Sequence, residues 1–207
     1  MSAERWVEVV LPGVVRRVLA GGEPQPRWMP GRVLTVVSAD VDTGAGVGAV
    51  WMVWRPRSAR AREHFPLLER YEGQWRYVGG ASSGPVDEPF EVNGIGGEVL
   101  EIRSAGGALS LLRRVDPPRS IETAPAIGCV VVQLGPDVGH ILVGDRRIRV
   151  PERRRLIAAW MAPAVRRGVR PVIVALGRDG AEVSRIGPYD SLDSHTWGRV
   201  GEELDGA

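Results

Sequence analysis

Turn dipeptides punctuate this chain at short intervals, and the runs between them are β-branched or aliphatic and too short to make ordinary helices. From Ile127 onward the runs are Ile127–Leu134, Val138–Val143, Arg146–Val150, Arg155–Met161, Pro171–Leu176 and Ala181–Ile186. The breaks include Gly135-Pro136-Asp137, Gly144-Asp145 and Asp179-Gly180. Gly, Asp and Asn tolerate the positive φ angles of tight hairpins, so such breaks between apolar runs predict antiparallel strands. Closely spaced short strands of this kind read as a small sandwich of two sheets.

The first half begins differently. Val7, Leu11, Val14 and Val18 recur at spacings of three and four, which predicts a helix over Ala3–Ala20. Pro12 removes one helical hydrogen bond and should kink or split that helix; a strand before Pro12 with a short helix after it is the alternative. Gly21-Gly22 is a stop signal, and Glu23-Pro24-Gln25-Pro26 an extended loop. Strands follow at Val33–Val41 and Val50–Arg55. In the second of these, Trp51 and Trp54 fall on opposite faces, which predicts a central strand. Phe65–Tyr71 and Trp75–Val78 flank Glu72-Gly73. A two-residue turn there opposes Glu69 to Arg76 and Arg70 to Trp75, giving an ion pair and a cation–π contact, whereas a three-residue loop would oppose two arginines. A further hairpin is expected from Glu98–Arg103 and Ala108–Arg113 through Ser104–Gly107. The Pro pair in Val115-Asp116-Pro117-Pro118 is the expected domain boundary.

Every basic side chain among the 27 Lys and Arg is arginine. With asparagine occurring once, at Asn93, this points to the codon usage of a very GC-rich, bacterial genome, and it weakens any inference from arginine alone. The longest stretch without charge, Thr123–Pro136, is shorter than the roughly 20 apolar residues of a membrane span. Glu4, Arg5 and Glu8 do not fit a secretion signal, so a cytoplasmic protein is expected. Cys129 is the sole cysteine, which excludes an intrachain disulfide and a cysteine zinc site, and its apolar neighbours predict burial. Charge is uneven. Residues 146–170 hold nine Arg and one acid, while the tail after Pro188 is acidic.

Several motifs carry chemical readings. Gly80-Ala81-Ser82-Ser83-Gly84 matches the nucleophile elbow, with Ser82 as the candidate serine and Asp137/His140 or Asp190/His195 as partners in order. That motif needs a helix directly after the turn, and Pro85, Asp87 and Pro89 oppose one. Gly44–Ala49 fits the loose dinucleotide fingerprint, yet a β-type run follows it, so a hairpin loop is expected. His64, His140 and His195 are not paired at metal-ligand spacing; Asp190, Asp193 and His195 are the densest titratable cluster, and no metal or cofactor is expected. Alternation places Arg147 and Arg149 outward with Ile148 and Val150 inward, and continues to Arg153 and Arg155 as a basic Arg146–Arg155 hairpin. Trp51, Trp54, Trp75 and Trp160 are expected in the core. Trp28 and Trp197 are candidate interface anchors.

These readings combine into an α+β, predominantly β chain: an N-terminal helix on an antiparallel curved sheet over 1–116, a small Ig-like β-sandwich over 119–188, and an acidic tail over 189–207. The helix with its curved sheet resembles in outline the cystatin-like or nuclear-transport-factor-like cone, a likeness of fold that carries no function. The expected function is non-catalytic binding or adaptor work, with a protein as the partner. The candidate residues are Arg147, Arg149, Arg153, Arg155, Trp28 and Trp197. The alternatives are a small serine hydrolase using Ser82 and an anionic-polymer binder using the Arg146–Arg155 hairpin. Nucleic acid is the less favoured partner, and no membrane association is expected.

Overall fold

The computed structural model describes residues 3–85, 99–114, 120 and 122–205. Among the described residues strands far outnumber helices and the sheets are antiparallel, so the predominantly β class is the one adopted. Two compact units emerge, each assembled from separated segments: Met1–Glu91, Gly106–Cys129 and Ile157–Gly168 in the first, Val92–Ala105, Val130–Leu156 and Val169–Ala207 in the second. The expected boundary at Val115–Pro118 lies outside the described residues. Among the described residues no helix is long and apolar enough to cross a membrane.

In the first unit, α1 (Ala3–Leu19) runs unbroken through Pro12, which excludes the split into strand and helix. Pro12 faces solvent, where water can take the carbonyl it leaves without a donor, while Val10, Leu11, Val14 and Val15 are buried. The helix stops where the glycines predicted. Gly21 adopts φ 70, its N–H donates to Val18 O, and the N–H of Gly22 donates to Arg17 O, the pairing that closes a helix through a left-handed residue.

The strands β1 (Leu34–Asp42), β2 (Val47–Trp54), β3 (Arg62–Tyr71) and β4 (Gln74–Pro85) form a meander in sequence order. The buried face of α1 packs on Leu34, Val36, Val50, Met52 and Leu68. Each such side chain contributes about 1.5–3 kcal/mol relative to exposure. β2 is central, as its two apolar faces predicted. The Glu72-Gly73 turn has φ 50 and 76 at its two residues and sets Glu69 opposite Arg76 and Arg70 opposite Trp75, the two-residue register. The ion pair expected from that register does not form. Buried Glu69 instead accepts hydrogen bonds from Ser110 Oγ and the Leu111 N–H, each at 2.6 Å.

A bulge between Val36 and Ser38 shifts the β1–β2 register, leaving Ala39 and Val41 on the side of the α1 core and turning Ser38 and Asp40 to the other side. There Ser38 Oγ accepts the Ile157 N–H at 3.2 Å, and Asp40 Oδ2 accepts the Ala159 N–H at 2.8 Å.

A three-stranded sheet has the order β5 (Leu100–Leu109), β6 (Ala126–Leu134) and β9 (Arg155–Ala162). The hairpin expected within Glu98–Arg113 is absent. β5 runs straight through Ser104–Gly107, then passes to a 3-10 turn at Leu111–Arg114. Its glycine serves close approach rather than reversal, since a Cβ on Gly107 would sit 2.8 Å from Ile127 O. Cys129 is buried in β6, and burial pushes its thiol pKa up to about 11, against a smaller opposing effect of a backbone hydrogen bond at Gly106.

The second unit holds an antiparallel sheet of order β11 (Glu182–Ile186), β10 (Ile173–Gly177), β7 (Val138–Val143) and β8 (Arg146–Arg149). Within the acidic tail, Ser194–Asp205 forms α2 against β11. Asp193 caps it by accepting the Thr196 N–H at 2.8 Å, and its other oxygen takes the N–H groups of Val99 and Leu100 at 3.2 and 2.7 Å.

Candidate functional site

Gly144 adopts φ 61 in the turn between β7 and β8, so a two-residue hairpin forms where Gly144-Asp145 predicted it. The register pairs Val143 with Arg146, Leu142 with Arg147, Ile141 with Ile148 and His140 with Arg149. Side chains alternate along β8, leaving Arg147 and Arg149 exposed while Arg146 and Ile148 are half-buried on the opposite face. The outward placement read from alternation is therefore realised, and Val150 beyond them is half-buried too.

Cross-strand pairing extends this face in two rows. One runs Arg149, His140, Leu176, Glu182; the other runs Arg147, Leu142, Val174, Arg185. At the far edge Arg185 grips Glu182 with two hydrogen bonds of 2.6 and 2.7 Å, so those charges neutralise one another. The Arg–Glu hydrogen bond is also what holds the Glu182 pKa below its ordinary value. Between the edges, Leu142 and Val174 are partly covered and Leu176 is buried. Net positive charge is thus confined to the β8 side.

His140 stands between the two arginines. Arg147 Nη2 donates to its Nδ1 at 3.1 Å, which requires the neutral imidazole with its proton on Nε2. Partial desolvation, followed by the charges of Arg147 and Arg149, lowers the His140 pKa from 6.5. The sequence reading weighed His140 as a base or metal ligand and missed this role. Seen on the β7–β8 register, its place opposite Arg149 follows from counting back from Gly144-Asp145.

The other candidates are distributed differently. The basic Arg146–Arg155 hairpin does not exist, because β8 pairs with β7 whereas β9 belongs to the sheet with β5 and β6. Arg153 is exposed in the intervening turn and Arg155 is half-buried at the start of β9. Between them Arg154 takes φ 56 and donates through its guanidinium to the carbonyls of Val138 and Pro136, a structural pin on β7. Trp28 lies in the turn before β1 with 59% of its surface exposed, and Trp197 lies on α2 with 52% exposed. Trp51 is buried, donating its indole N–H to Glu63 at 3.1 Å and packing on Phe65 with ring centroids 6.0 Å apart.

Ser82 sits inside β4 directly opposite His64 of β3. Gly80–Gly84 is therefore extended strand continuing to Pro85, in place of the strained turn that a nucleophile elbow requires. Burial, reinforced by the charge of Arg62, lowers the His64 pKa from 6.5. Gly44–Ala49 forms the end of a hairpin turn and the start of β2, with no helix to receive a pyrophosphate. Of the acidic cluster, Asp193 caps α2 and Asp190 Oδ2 accepts the Gly187 N–H at 2.9 Å. Among the described residues no group of three His, Cys, Asp or Glu is placed to hold a metal ion.

No family model matches this chain, and no curated protein or solved structure matches it significantly.

Proposed function

We propose that this chain is a non-catalytic binding protein that engages an anionic protein partner at the β8 side of its four-stranded sheet. One observation carries the reading: Arg147 and Arg149 are exposed on one strand face, two residues apart, without a carboxylate partner among the described residues. Alternate strand residues stand about 7 Å apart, which suits two carboxylates better than one. The neutral His140 beside them brings no countercharge, and Leu142, Val174 and Leu176 lie between them and the neutralised Arg185–Glu182 pair.

An anionic polymer is the second reading, and the same two arginines favour it. Against it, no Trp, Tyr or Phe stands in the described rows of this face, and the predicted run through Arg155 is divided between two sheets. At the level of architecture, an Ig-like sandwich for residues 119–188 stays our inference, supported by the antiparallel hairpins closed at Gly144-Asp145 and Asp179-Gly180.

Fluorescence anisotropy with labelled polyglutamate and with a labelled DNA duplex tests the function. Polyglutamate should bind at physiological salt and be released by the joint change Arg147→Ala and Arg149→Ala. Duplex binding that survives physiological salt, with polyglutamate unbound, would transfer the assignment to the polymer reading.

A further inference from the structure

The two edges of the β11-β10-β7-β8 sheet are finished in different ways. At β11 the edge is occupied by the start of α2: the Arg185 N–H donates to Ser194 Oγ at 3.0 Å, and the His195 N–H donates to Ser184 Oγ at 3.1 Å. At β8 no described strand lies outside. The Val150 N–H donates to Gly139 O at 3.1 Å, which identifies residues 139 and 150 as a hydrogen-bonded pair of the hairpin. Such pairs alternate with non-bonded ones in an antiparallel ladder. Residues 141 and 148, and 143 and 146, then bond to each other, so the N–H and C=O groups of Arg147 and Arg149 point away from β7.

We infer that β8 is a strand-addition site, at which an extended segment of the partner protein pairs antiparallel with Arg147–Arg149 and sets carboxylates beside both guanidinium groups. This deepens the binding reading above and rests on it. The occupant follows from complementarity. A phosphodiester has no N–H to give the outward carbonyls of Arg147 and Arg149, whereas a peptide backbone supplies both donors and acceptors. A second copy of this chain would bring its own Arg147 and Arg149 against these, and like charges directly opposite are repulsive. A partner with Glu or Asp at alternate positions removes that repulsion. Its intervening residues would lie on the side of the half-buried Ile148 and are therefore apolar. Arginines on an edge strand also deter indiscriminate sheet pairing, so the same residues that admit an acidic strand exclude others.

The test uses the full chain and a capped peptide of alternating Glu and Val, titrated by calorimetry alongside two backbone-modified versions. In an antiparallel pairing, Glu residues opposite Arg147 and Arg149 direct their own N–H groups to β8, and Val N–H groups point away. N-methylation at the Glu positions keeps every charge and should weaken binding about tenfold or more, while N-methylation at the Val positions should change it less than about threefold. Reversing charge at both arginines (Arg147→Glu, Arg149→Glu) should abolish binding of this peptide and create binding of its Arg-Val counterpart. Equal affinity for the parent and the Glu-methylated peptide would refute strand addition while leaving the anionic-partner reading intact. Failure of the parent peptide with polyglutamate still bound has the same meaning. Failure of peptide and polyglutamate together removes both.

Discussion

The acids of the first unit and the arginines of β8 represent opposite uses of charge in one chain. Glu69 and Asp40 are buried and point inward, and their oxygens are committed to Ser110, Leu111 and Ala159. These acids satisfy backbone and hydroxyl donors that the sheets do not. On β8 the arrangement is reversed. The side chains of Arg147 and Arg149 stand in solvent, and their own backbone groups are turned outward. A charge whose hydrogen bonds are all internal is a component of stability, and one beside unpaired backbone is available to a partner. Exposure alone would not make the distinction, since Arg185 is exposed yet consumed by Glu182.

The sharpest way to break the comparison is at Glu69. Glu69→Ala should destabilise the protein by about 3 kcal/mol in urea unfolding, because one buried and one part-buried donor lose their carboxyl acceptor. A loss below about 0.5 kcal/mol would mean the inward acid is no more structural than a surface one. Asp193 asks whether the second unit uses an acid in the same way. Asp193→Ala removes the α2 cap and the acceptor of Val99 and Leu100, and should cost about 2 kcal/mol, with Asp193→Asn recovering part of it.

A smaller effect is expected from pH. The folded pKa values of His64 and His140 both lie below 6.5, so the unfolded chain takes up protons first as pH falls. Their contribution is fully present above 6.5 and is lost progressively below it, through the folded values. Thermal midpoints should therefore be level above that pH and decline in mild acid, and an NMR titration should show both rings with lowered midpoints. In Arg147→Ala the His140 midpoint should move back toward 6.5, since a hydrogen bond to the neutral ring and a nearby positive charge are both removed. The smallest effect sharpens the other side of the comparison. Arg147→Ala with Arg149→Ala should change stability by less than about 0.5 kcal/mol while removing anionic-peptide binding. A large destabilisation there would show these arginines to be structural after all.

Much of the strand inventory could be read directly. The Glu72-Gly73 register, the Gly21-Gly22 helix stop and the outward pair on β8 all rest on local geometry, where turn residues and period-two alternation leave few options. Three features could not be read in that way. Ser104–Gly107 resembles a turn, but its glycine is required because β6 passes close by. Glu69 has the right cross-strand neighbour, yet Ser110 lies nearer its carboxylate and offers a donor that burial makes compulsory. Arg154 has the same chemistry as its neighbours on either side, and only its positive φ and the carbonyls of Pro136 and Val138 distinguish it.

The sequence by itself determined most of the extended segments, the reversals at Glu72-Gly73 and Gly144-Asp145 and the outward face of β8, because those properties depend on side chains within a few residues of one another. It also placed two arginines on one side of a short strand. Which strand lies beside which was decided only by the tertiary structure. β8 and β9 are consecutive, and nothing local prevents their pairing, yet they enter different sheets. That choice joins residues far apart in the chain, β8 to β7 and β9 to the sheet of β5 and β6, which no local pattern specifies. By separating β8 from β9 it left one edge with its hydrogen-bonding groups unclaimed by any described strand, and this open edge is what gives Arg147 and Arg149 their significance.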